Sequence, residues 1–309
     1  MLSSAPFQIP PYLLEQAKGL DVIRTAIAGA DHPIALESAR QSTRSNLIQP
    51  LLIGNKKKIQ DLADSQKWDI QKFQIINATG ENKIAEIAAS AAKHNEVKTI
   101  MKGQIHTDSL MKAILNRDAG LRTEKRLSHI FHMTIPNNNK NILITDGALN
   151  VAPDTQTKID IVKNSIALAH ALGKTAPRIA MLSATETPTK SMPSSLDAKK
   201  VVDHFKDYDS NRAVVDGPFA LDIAVSQKAA RLKGVESLVA GAADVLVVPN
   251  IEMGNGLFKM MVYFLSGLAA GIVMGAKVPI VLTSRADPPE ARLAAAAIAV
   301  IVSAKSKGN

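Results

Sequence analysis

The residue types best suited to chemistry are concentrated near the C-terminus, in the stretch Thr283-Ser284-Arg285-Ala286-Asp287. An apolar run before Thr283 predicts a buried strand, and the proline after Asp287 predicts that a helix begins there. Free backbone N–H groups and the helix dipole at such a junction attract anions. The Ser284 hydroxyl and the Arg285 guanidinium would add donors that suit a phosphoryl group. The stretch therefore predicts an anion site at a helix N-terminus.

The two acids of this region, Asp287 and Glu290, have a second interpretation. With Asp287 at the N-cap, Pro288 at the first helical position and Glu290 at the third, they would form a capping box. Arg285 could likewise pair with a surface acid. The spacing leaves the catalytic and capping roles open for both acids, whereas a hydroxyl beside an arginine favours function for Ser284 and Arg285.

A second candidate is the tripeptide Asp216-Gly217-Pro218, which follows the predicted strand 213–215. In open α/β sheets, the loops after the carboxyl ends of parallel strands line the ligand crevice. The same tripeptide is also a common turn, and in isolation the turn is the better interpretation.

A third candidate follows the predicted strand 245–248, where a polar loop leads into a helix. Two glycines in this loop permit close approach of the backbone to a ligand. The polar residues that could line a phosphate site here are Asn250, Glu252, Asn255 and Lys259.

A fourth candidate lies where the predicted strand 97–101 meets a helix. Lys102 could hold an anion, and Thr107 could contact a ligand or simply cap the helix, which is the commoner role of threonine there. His106 stands alone and is weak evidence for catalysis.

The order of apolar and amphipathic segments predicts the elements that position these residues. Short apolar runs predict strands at 51–53, 97–101, 142–145, 179–182, 213–215, 245–248 and 278–282. Longer stretches of helical period lie between them, including 158–172 and 222–233. This alternation is typical of βα units and predicts an α/β protein with a mainly parallel sheet.

Composition narrows the class of ligand. The chain has 309 residues and a formal net charge of +9, which favours an anionic partner, but only 4% are aromatic. Modules that bind single-stranded nucleic acid use aromatic stacking platforms, so a small phosphate-bearing ligand is the better interpretation. The absence of cysteine excludes disulfides, thiolate metal sites and a cysteine nucleophile. The histidines show no metal-ligand spacing, so we expect a metal-free mechanism. We also expect no permanently bound cofactor.

The sequence also predicts a cytoplasmic location without membrane contact. The first residues lack the basic region and apolar stretch of a secretory signal. The uncharged segment 260–276 is at the lower length limit for a membrane span and is interrupted by glycines. It is better interpreted as a buried helix that runs into a strand.

Taken in order, these segments resemble the phosphate acetyltransferase and phosphate butyryltransferase family. The likeness extends over about 51–298, and its most specific parts are Asp216-Gly217-Pro218 with Asp222, the segment 247–259, and the segment 279–287. The resemblance implies reversible transfer of an acetyl or butyryl group between coenzyme A and inorganic phosphate. The implied partners are coenzyme A as a substrate, acyl phosphate and phosphate, without nucleic acid.

The resemblance also implies a fold of the isocitrate/isopropylmalate dehydrogenase type, with two α/β domains, a cleft between them and a homodimer or higher homo-oligomer. We expect residues 1–140 with 277–309 to form one domain, which carries Ser284 and Arg285, and residues 141–276 to form the other.

In the family, Ser284 and Arg285 match the serine and arginine assigned to the reacting acyl phosphate. Two positions depart from the acetyltransferases: Ala291 replaces a catalytic aspartate, and Tyr263 replaces an arginine. Both departures resemble the butyryltransferase branch. The implied general base is Asp287, with Glu290 as the second choice, and thiolate would attack the acyl phosphate directly.

Two other classes of protein are compatible with the pattern. A metal- and nicotinamide-dependent dehydrogenase can share the implied fold, although its metal ligands are not evident in the sequence. A basic α/β protein could also bind a phosphometabolite or nucleic acid without catalysis, and strongly salt-dependent affinity for DNA would then be expected.

Overall fold

A computed structural model describes residues 2–136, 140–284 and 287–305 of the chain. It has an α/β fold with a large, mainly parallel sheet, which confirms the predicted fold class. Among the described residues, none of the helices is both long and apolar enough to cross a membrane.

Helices and strands alternate along most of the chain. The helices are α1 (Pro11–Lys18), α2 (Pro33–Arg44), α3 (Lys56–Ser65), α4 (Glu81–Lys93), α5 (Thr107–Leu115), α6 (Thr155–Ala171), α7 (Pro193–Phe205), α8 (Leu221–Val225), α9 (Gln227–Leu232), α10 (Ile251–Leu265) and α11 (Pro289–Lys305). The strands are β1 (Ile23–Ala28), β2 (Ile48–Gly54), β3 (Ile75–Asn77), β4 (Thr99–Lys102), β5 (Ser128–Thr134), β6 (Asn141–Thr145), β7 (Arg178–Leu182), β8 (Val214–Phe219), β9 (Val245–Val247), β10 (Leu268–Met274) and β11 (Ile280–Val281).

Contacts within the chain divide it into two compact units. The first unit comprises residues 8–125 with the chain from 270 onwards, and the second comprises the first seven residues with 126–269. The units change at 125 and 269, earlier than the predicted domain limits of 140 and 276. One reason is that β5 pairs with β6, so both strands belong to the second unit. The predicted domain limits stay a proposal.

In the first unit the strands run in the order β3-β2-β1-β4-β11-β10. All neighbouring pairs are parallel except β10 with β11, which is antiparallel. Helix α11 is rich in alanine and almost wholly apolar between Arg292 and Lys305, and its residues 294–302 are buried. Small side chains allow this helix to pack closely in the core.

In the second unit the order is β5-β6-β9-β7-β8, with only β5 and β6 antiparallel. Its apolar core includes Phe131, Ile144, Leu246 and Phe258, which bring side chains of β5, β6, β9 and α10 together. Helix α10 is therefore fixed on the sheet through its first two turns.

Three of the predicted elements differ from the structure. Strand β8 continues through Asp216-Gly217-Pro218 to Phe219, so the prediction that the tripeptide follows a strand end is wrong. The single helix predicted at 222–233 is two helices, because Ser226 is the N-cap of α9 and accepts from the Ala229 N–H at 3.2 Å. The segment 260–276 is a helix end followed by β10 as predicted, but Phe264 and its neighbours on α10 are exposed rather than buried.

Candidate functional site

A small pocket in the first unit collects residues from the ends of β4 and β11. Lys102 is the last residue of β4, and Thr283 and Ser284 follow the end of β11 by two and three residues; β11 lies beside β4 in the sheet. Parallel neighbours end at the same edge of a sheet, so these three predicted residues are brought together. All three line the pocket, together with Arg292 of α11 and Gln104.

Close contact between two loops shapes the wall of this pocket. Gly103 follows Lys102, and its N–H donates to the carbonyl oxygen of Ala28 at 2.8 Å. A Cβ atom on Gly103 would lie 2.3 Å from the carbonyl oxygen of Gly29. Only glycine fits here, and its absence of a side chain lets the loop after β4 lie directly on the loop after β1.

Two cationic side chains of this pocket are almost fully buried. Lys102 is 9% exposed and Arg292 is 8% exposed. The Lys102 ammonium donates to the carbonyl oxygens of Gly103 and Ile105, both at 3.2 Å, which holds it at the end of β4. Burial lowers the pKa of Arg292, while Asp287 acts in the opposite direction. Buried cations that face a pocket create a strong local attraction for anions.

Asp287 lies beside these cations and is joined to Ser284 by two hydrogen bonds. Its Oδ2 atom accepts from the Ser284 N–H at 2.6 Å, and its own N–H donates to the Ser284 carbonyl oxygen at 3.3 Å. Burial raises the pKa of Asp287, and the hydrogen bond from Ser284 and the charges of Arg292 and Lys102 oppose that rise. A half-buried carboxylate with a raised pKa, held near two cations, is suited to accept a proton.

The predicted capping box is wrong in its register. Helix α11 begins at Pro289, one residue later than predicted, and the Ala291 N–H donates to the Pro288 carbonyl oxygen at 3.1 Å. The Asp287 carboxylate points back to Ser284 instead of towards the free N–H groups of the helix. The predicted capping role of Asp287 is therefore wrong, and its catalytic role stays a prediction. Arg285, the third catalytic candidate, lies outside the described residues.

Thr107 has a different position from the one predicted. It is the first residue of α5, and the N-cap residue is His106, so Thr107 does not cap the helix. The Glu81 carboxylate instead accepts from the His106 N–H at 3.1 Å and from the Ser109 hydroxyl at 3.1 Å. The bond from the His106 N–H holds the pKa of Glu81 below its ordinary value. Thr107 is not among the described residues that line the pocket beside Lys102.

Arg292 is the functional candidate that the sequence did not reveal. It lies inside an otherwise apolar helical segment and reads there as an ordinary charged residue. The signal that could have identified it is that α11 is buried along most of its length, because an arginine is seldom buried without a specific role.

In the second unit, the Asp216 side chain in β8 is fixed by two hydrogen bonds, one from the next residue and one from a distant serine. Its carboxylate accepts from the Gly217 N–H at 2.7 Å and from the Ser237 hydroxyl. Gly217 has φ +141°, and a Cβ atom there would lie 2.6 Å from the Met181 carbonyl oxygen, so glycine is required. Pro218 is buried at the end of β8. The tripeptide thus has a structural role, and its predicted substrate contacts stay a prediction.

The residues predicted around α10 divide into a cap and a helix face. The Asn250 side chain accepts from the Met253 N–H at 3.1 Å and is the N-cap of α10. Glu252, Asn255 and Lys259 follow at helical spacing and share one face, on which Glu252 and Lys259 are exposed. The Asn255 amide donates to the Gly147 carbonyl oxygen at 3.4 Å. This face presents both charges and an amide for polar contacts.

The loop after β6, which the sequence interpretation did not single out, is organised by the buried Asp146. Its Oδ1 atom accepts from the N–H groups of Ala148 and Leu149 at 2.9 and 3.0 Å. Its Oδ2 atom accepts from the His129 N–H at 3.1 Å and from the Asn150 amide at 2.7 Å. The available signal was an aspartate followed by glycine after a predicted strand, the same pattern that drew attention to Asp216-Gly217 in the sequence. Saturation by donors makes Asp146 a structural anchor that holds this loop against α10.

Substitution of Gly254 is expected to destabilise this contact. A Cβ atom on Gly254 would lie 2.8 Å from both the Asp146 carbonyl oxygen and the Gly147 Cα atom, which are backbone atoms that cannot give way locally. Gly254→Ala should therefore lower the free energy of unfolding by about 1–3 kcal/mol, the usual cost of overpacking.

Gly256 offers a matched control in the same helix. A Cβ atom there meets no atom within 4 Å, so Gly256→Ala should raise the free energy of unfolding by about 0.5–1 kcal/mol. Urea unfolding followed by circular dichroism measures both changes. Equal effects of the two substitutions would show that close backbone packing at Gly254 is unimportant.

Comparison with known proteins identifies related sequences over nearly the whole chain. The family model described as phosphate acetyl/butaryl transferase matches residues 81–300. A phosphate acetyltransferase of Rickettsia prowazekii (strain Madrid E) is 43% identical over 301 residues, which are 96% of this chain and 85% of that protein. A phosphate butyryltransferase of Clostridium beijerinckii is 33% identical and covers 96% of this chain and 98% of that protein. These identities do not support the expected closeness to the butyryltransferase branch.

Solved structures similar to this chain include a phosphotransacylase, in agreement with the sequence relatives. The crystal structure of a branched-chain phosphotransacylase from Enterococcus faecalis V583 has a TM-score of 0.79 at 32% identity and covers 91% of this chain and 99% of that chain. A 4-hydroxythreonine-4-phosphate dehydrogenase from Burkholderia phymatum has a TM-score of 0.56 at 13% identity, covers 92% and 98% of the two chains, and is similar in fold alone. Within the described part of the chain, no group of three or more acids and histidines could hold a metal ion.

Proposed function

Because the chain belongs to the phosphate acetyl/butyryl transferase family, we propose that it transfers a short-chain acyl group reversibly between coenzyme A and inorganic phosphate. The proposed reaction converts acyl-CoA and phosphate into acyl phosphate and coenzyme A. Coenzyme A acts as a substrate, and no permanently bound cofactor takes part.

The observation that carries this proposal is the pocket at the ends of β4 and β11. Its wall includes the buried cations Lys102 and Arg292 and the hydroxyl-bearing residues Thr283 and Ser284. Cations with adjacent hydroxyl donors suit a phosphoryl group, which carries negative charge on several oxygens. Arg285 follows Ser284 directly in the sequence, and we propose that it also holds the phosphate.

The proposed mechanism is direct transfer in a ternary complex. The chain contains no cysteine, so no cysteine can carry the acyl group between two half-reactions. The coenzyme A thiolate attacks the acyl carbon of acyl phosphate, a C–S bond forms, and the C–O bond to phosphate breaks. Asp287 accepts the thiol proton, and phosphate leaves with the electron pair of the broken bond. In the reverse direction phosphate attacks the thioester and Asp287 returns the proton to sulfur.

Ser284 stabilises the oxyanion that develops on the carbonyl oxygen. Its backbone N–H donates to Asp287, so the side-chain hydroxyl is the group that would meet the oxyanion. Ser284 is exposed, whereas the two cations are buried. The pocket volume is about 20 Å³, room for about one water-sized group, so we propose that phosphate oxygens meet the cations there while the carbonyl group lies outside it beside Ser284.

We propose that the second unit contributes the remaining substrate contacts. The candidates are Asp216, Gly217, Pro218, Asn250, Glu252, Asn255 and Lys259, as the resemblance to the family implies. The division into two domains around a substrate cleft, in the manner of isocitrate and isopropylmalate dehydrogenases, belongs to the same proposal. Thr107 is the weakest of the predicted contacts, because it does not line the pocket around Lys102.

We also propose that the active enzyme is a homodimer or a higher homo-oligomer. The last turns of α10 expose the large apolar side chains of Met260, Tyr263, Phe264 and Leu265. Adjacent exposed apolar side chains of this size are typical of a surface that is covered by another protein molecule. The expected cytoplasmic location likewise stays a proposal.

A panel of acyl-CoA substrates tests the reaction and its acyl preference together. Release of coenzyme A from acetyl-, propionyl-, butyryl-, valeryl- and hexanoyl-CoA is followed with a thiol reagent, with and without phosphate. We expect release that depends on phosphate, with at least one short-chain substrate turned over at about 1–10³ s⁻¹, the ordinary range of kcat. Absence of phosphate-dependent release with every member would refute the proposed function.

A further inference from the structure

We propose that Arg292 is a substrate-binding residue, which together with Lys102 holds the phosphate oxygens of acyl phosphate and of inorganic phosphate. This role of Arg292 rests on the proposed function. It adds a residue outside the segment 279–287, which is one of the most specific parts of the family resemblance. The two cations come from different elements, α11 and β4, and line one pocket.

The distribution of charge in the pocket supports this assignment. Among the described residues that line it, Lys102 and Arg292 are charged and none is acidic. Asp287 and Glu290 are close enough to influence the charge of Arg292, but neither belongs to the pocket wall. The charged side chains of the pocket surface are therefore both cationic, and an anion bound there is attracted by two positive charges that are shielded from water.

The position of Arg292 in α11 supports a role in ligand binding. Helix α11 carries alanine, isoleucine and valine along its buried length, and Arg292 is 8% exposed at the start of that length. An ionised side chain is expensive to bury, so a neutral residue would serve packing alone at lower cost. A guanidinium that faces a pocket gains from each anionic ligand bound there, which gives the burial a function.

The chemistry of the two cations is complementary. A guanidinium offers a planar fork of N–H donors and can bind two phosphate oxygens at once, whereas an ammonium acts as a point charge. The Lys102 ammonium is already anchored by two carbonyl oxygens, at 3.2 Å each. We therefore expect Arg292 to fix the orientation of the phosphoryl group and Lys102 to supply attraction. Correct orientation places the acyl carbon beside Ser284.

The test uses three variants of the full chain: Arg292→Met, Arg292→Lys and the control Arg117→Met. Arg117 lies in the same unit, is exposed, and does not line the pocket. In the direction that consumes acyl-CoA, we expect Arg292→Met to raise the KM for phosphate by about 10–100-fold, as for loss of charge-assisted hydrogen bonds. The KM for acyl-CoA should change less than about twofold. Arg292→Lys should recover part of the phosphate affinity, and Arg117→Met should behave like the wild type.

A binding measurement without turnover makes the inference independent of the reaction. Inorganic phosphate should raise the melting temperature of the wild type and of Arg117→Met, because a ligand that binds only the folded state stabilises it. The same phosphate concentrations should raise that of Arg292→Met much less. Failure of the proposed function would appear as absence of acyl transfer in the wild type with phosphate protection intact.

Two results would overturn the assignment of Arg292. The first is an unchanged KM for phosphate and unchanged phosphate protection in Arg292→Met that has a wild-type circular dichroism spectrum. The second is an equal rise of the KM values for phosphate and acyl-CoA, which would indicate a general structural role. If Arg292→Met does not fold, the comparison is made with Arg292→Lys and Arg292→Gln, and the same two results decide it.

Discussion

Replacement of Asp287 by asparagine is expected to lower kcat by about 10²- to 10⁴-fold, the usual contribution of a general base. Asparagine keeps the shape of the side chain and can still accept the hydrogen bond that Asp287 Oδ2 receives from the Ser284 N–H at 2.6 Å. It cannot take a proton from the thiol. The loss should therefore appear in kcat with acyl phosphate and coenzyme A, with little change in the KM for acyl phosphate.

The pH dependence of this variant separates proton transfer from other roles. Burial raises the pKa of Asp287 above the ordinary value of an aspartate, and Arg292 and Lys102 oppose the rise. The base is active when ionised, so kcat of the wild type should fall as the pH falls through this raised pKa. The acid limb should be absent from Asp287→Asn. Arg292→Met removes an opposing positive charge, so its acid limb should move to higher pH.

Stability provides the matching check that the variant is folded. Because the folded-state pKa of Asp287 is raised, its contribution favours the folded state at acid pH and is lost as the pH rises through that pKa. Asp287→Asn should therefore be at least as stable as the wild type at pH 8, while it is almost inactive. A melting curve at pH 8 measures this directly.

The control for Asp287 is Glu290→Gln, which changes the other acid of the same region. Glu290 is in the first turn of α11 and does not line the pocket. We expect its kcat to change less than about threefold, as for a surface substitution of small effect. Equal and small losses in Asp287→Asn and Glu290→Gln would remove Asp287 from the mechanism. A large loss in Glu290→Gln alone would make Glu290 the base.

The α/β class and most of the strands could be predicted because buried parallel strands are short, apolar and separated by amphipathic helices. β6 and β7 were predicted within one residue at each end. The boundaries of β8 were predicted less well, because Gly217 and Pro218 normally end a strand. Here a glycine that fits against Met181 lets the strand continue. That contact is between distant parts of the sequence and leaves no local pattern.

Residues of the candidate site could be predicted where a recognisable motif follows a strand in the sequence. Thr283 and Ser284 end up beside Lys102 because β4 and β11 are neighbours in the sheet, and the motif at the end of each strand was visible. Arg292 was not predicted, since its importance comes from burial and from facing a pocket, which depend on tertiary structure. The roles of Asp287 and Thr107 as caps were wrong for a similar reason, because hydrogen-bond direction at a helix start is decided by neighbouring side chains.

Ser284→Ala is the second substitution with a large expected effect. The backbone N–H of Ser284 already donates to Asp287, so the hydroxyl is the donor that Ser284 offers to the oxyanion. Loss of one oxyanion donor typically lowers kcat by about 10²- to 10³-fold. The KM for phosphate should change little, because Lys102 and Arg292 remain in the pocket. This separates Ser284→Ala from Arg292→Met, in which the KM for phosphate rises.

Two further variants make the Ser284 result specific to its hydroxyl. Ser284→Thr keeps an O–H donor at an exposed position, so it should recover at least about tenfold of the kcat lost in Ser284→Ala. Ser65→Ala removes an exposed hydroxyl that donates to the Leu62 carbonyl oxygen at 2.7 Å at the end of α3, and it should be fully active. If Ser284→Ala kept wild-type kcat, the oxyanion would have to be stabilised elsewhere. The hydroxyl of Thr283, which lines the same pocket, would then be the next donor to test, because it is the nearest in sequence.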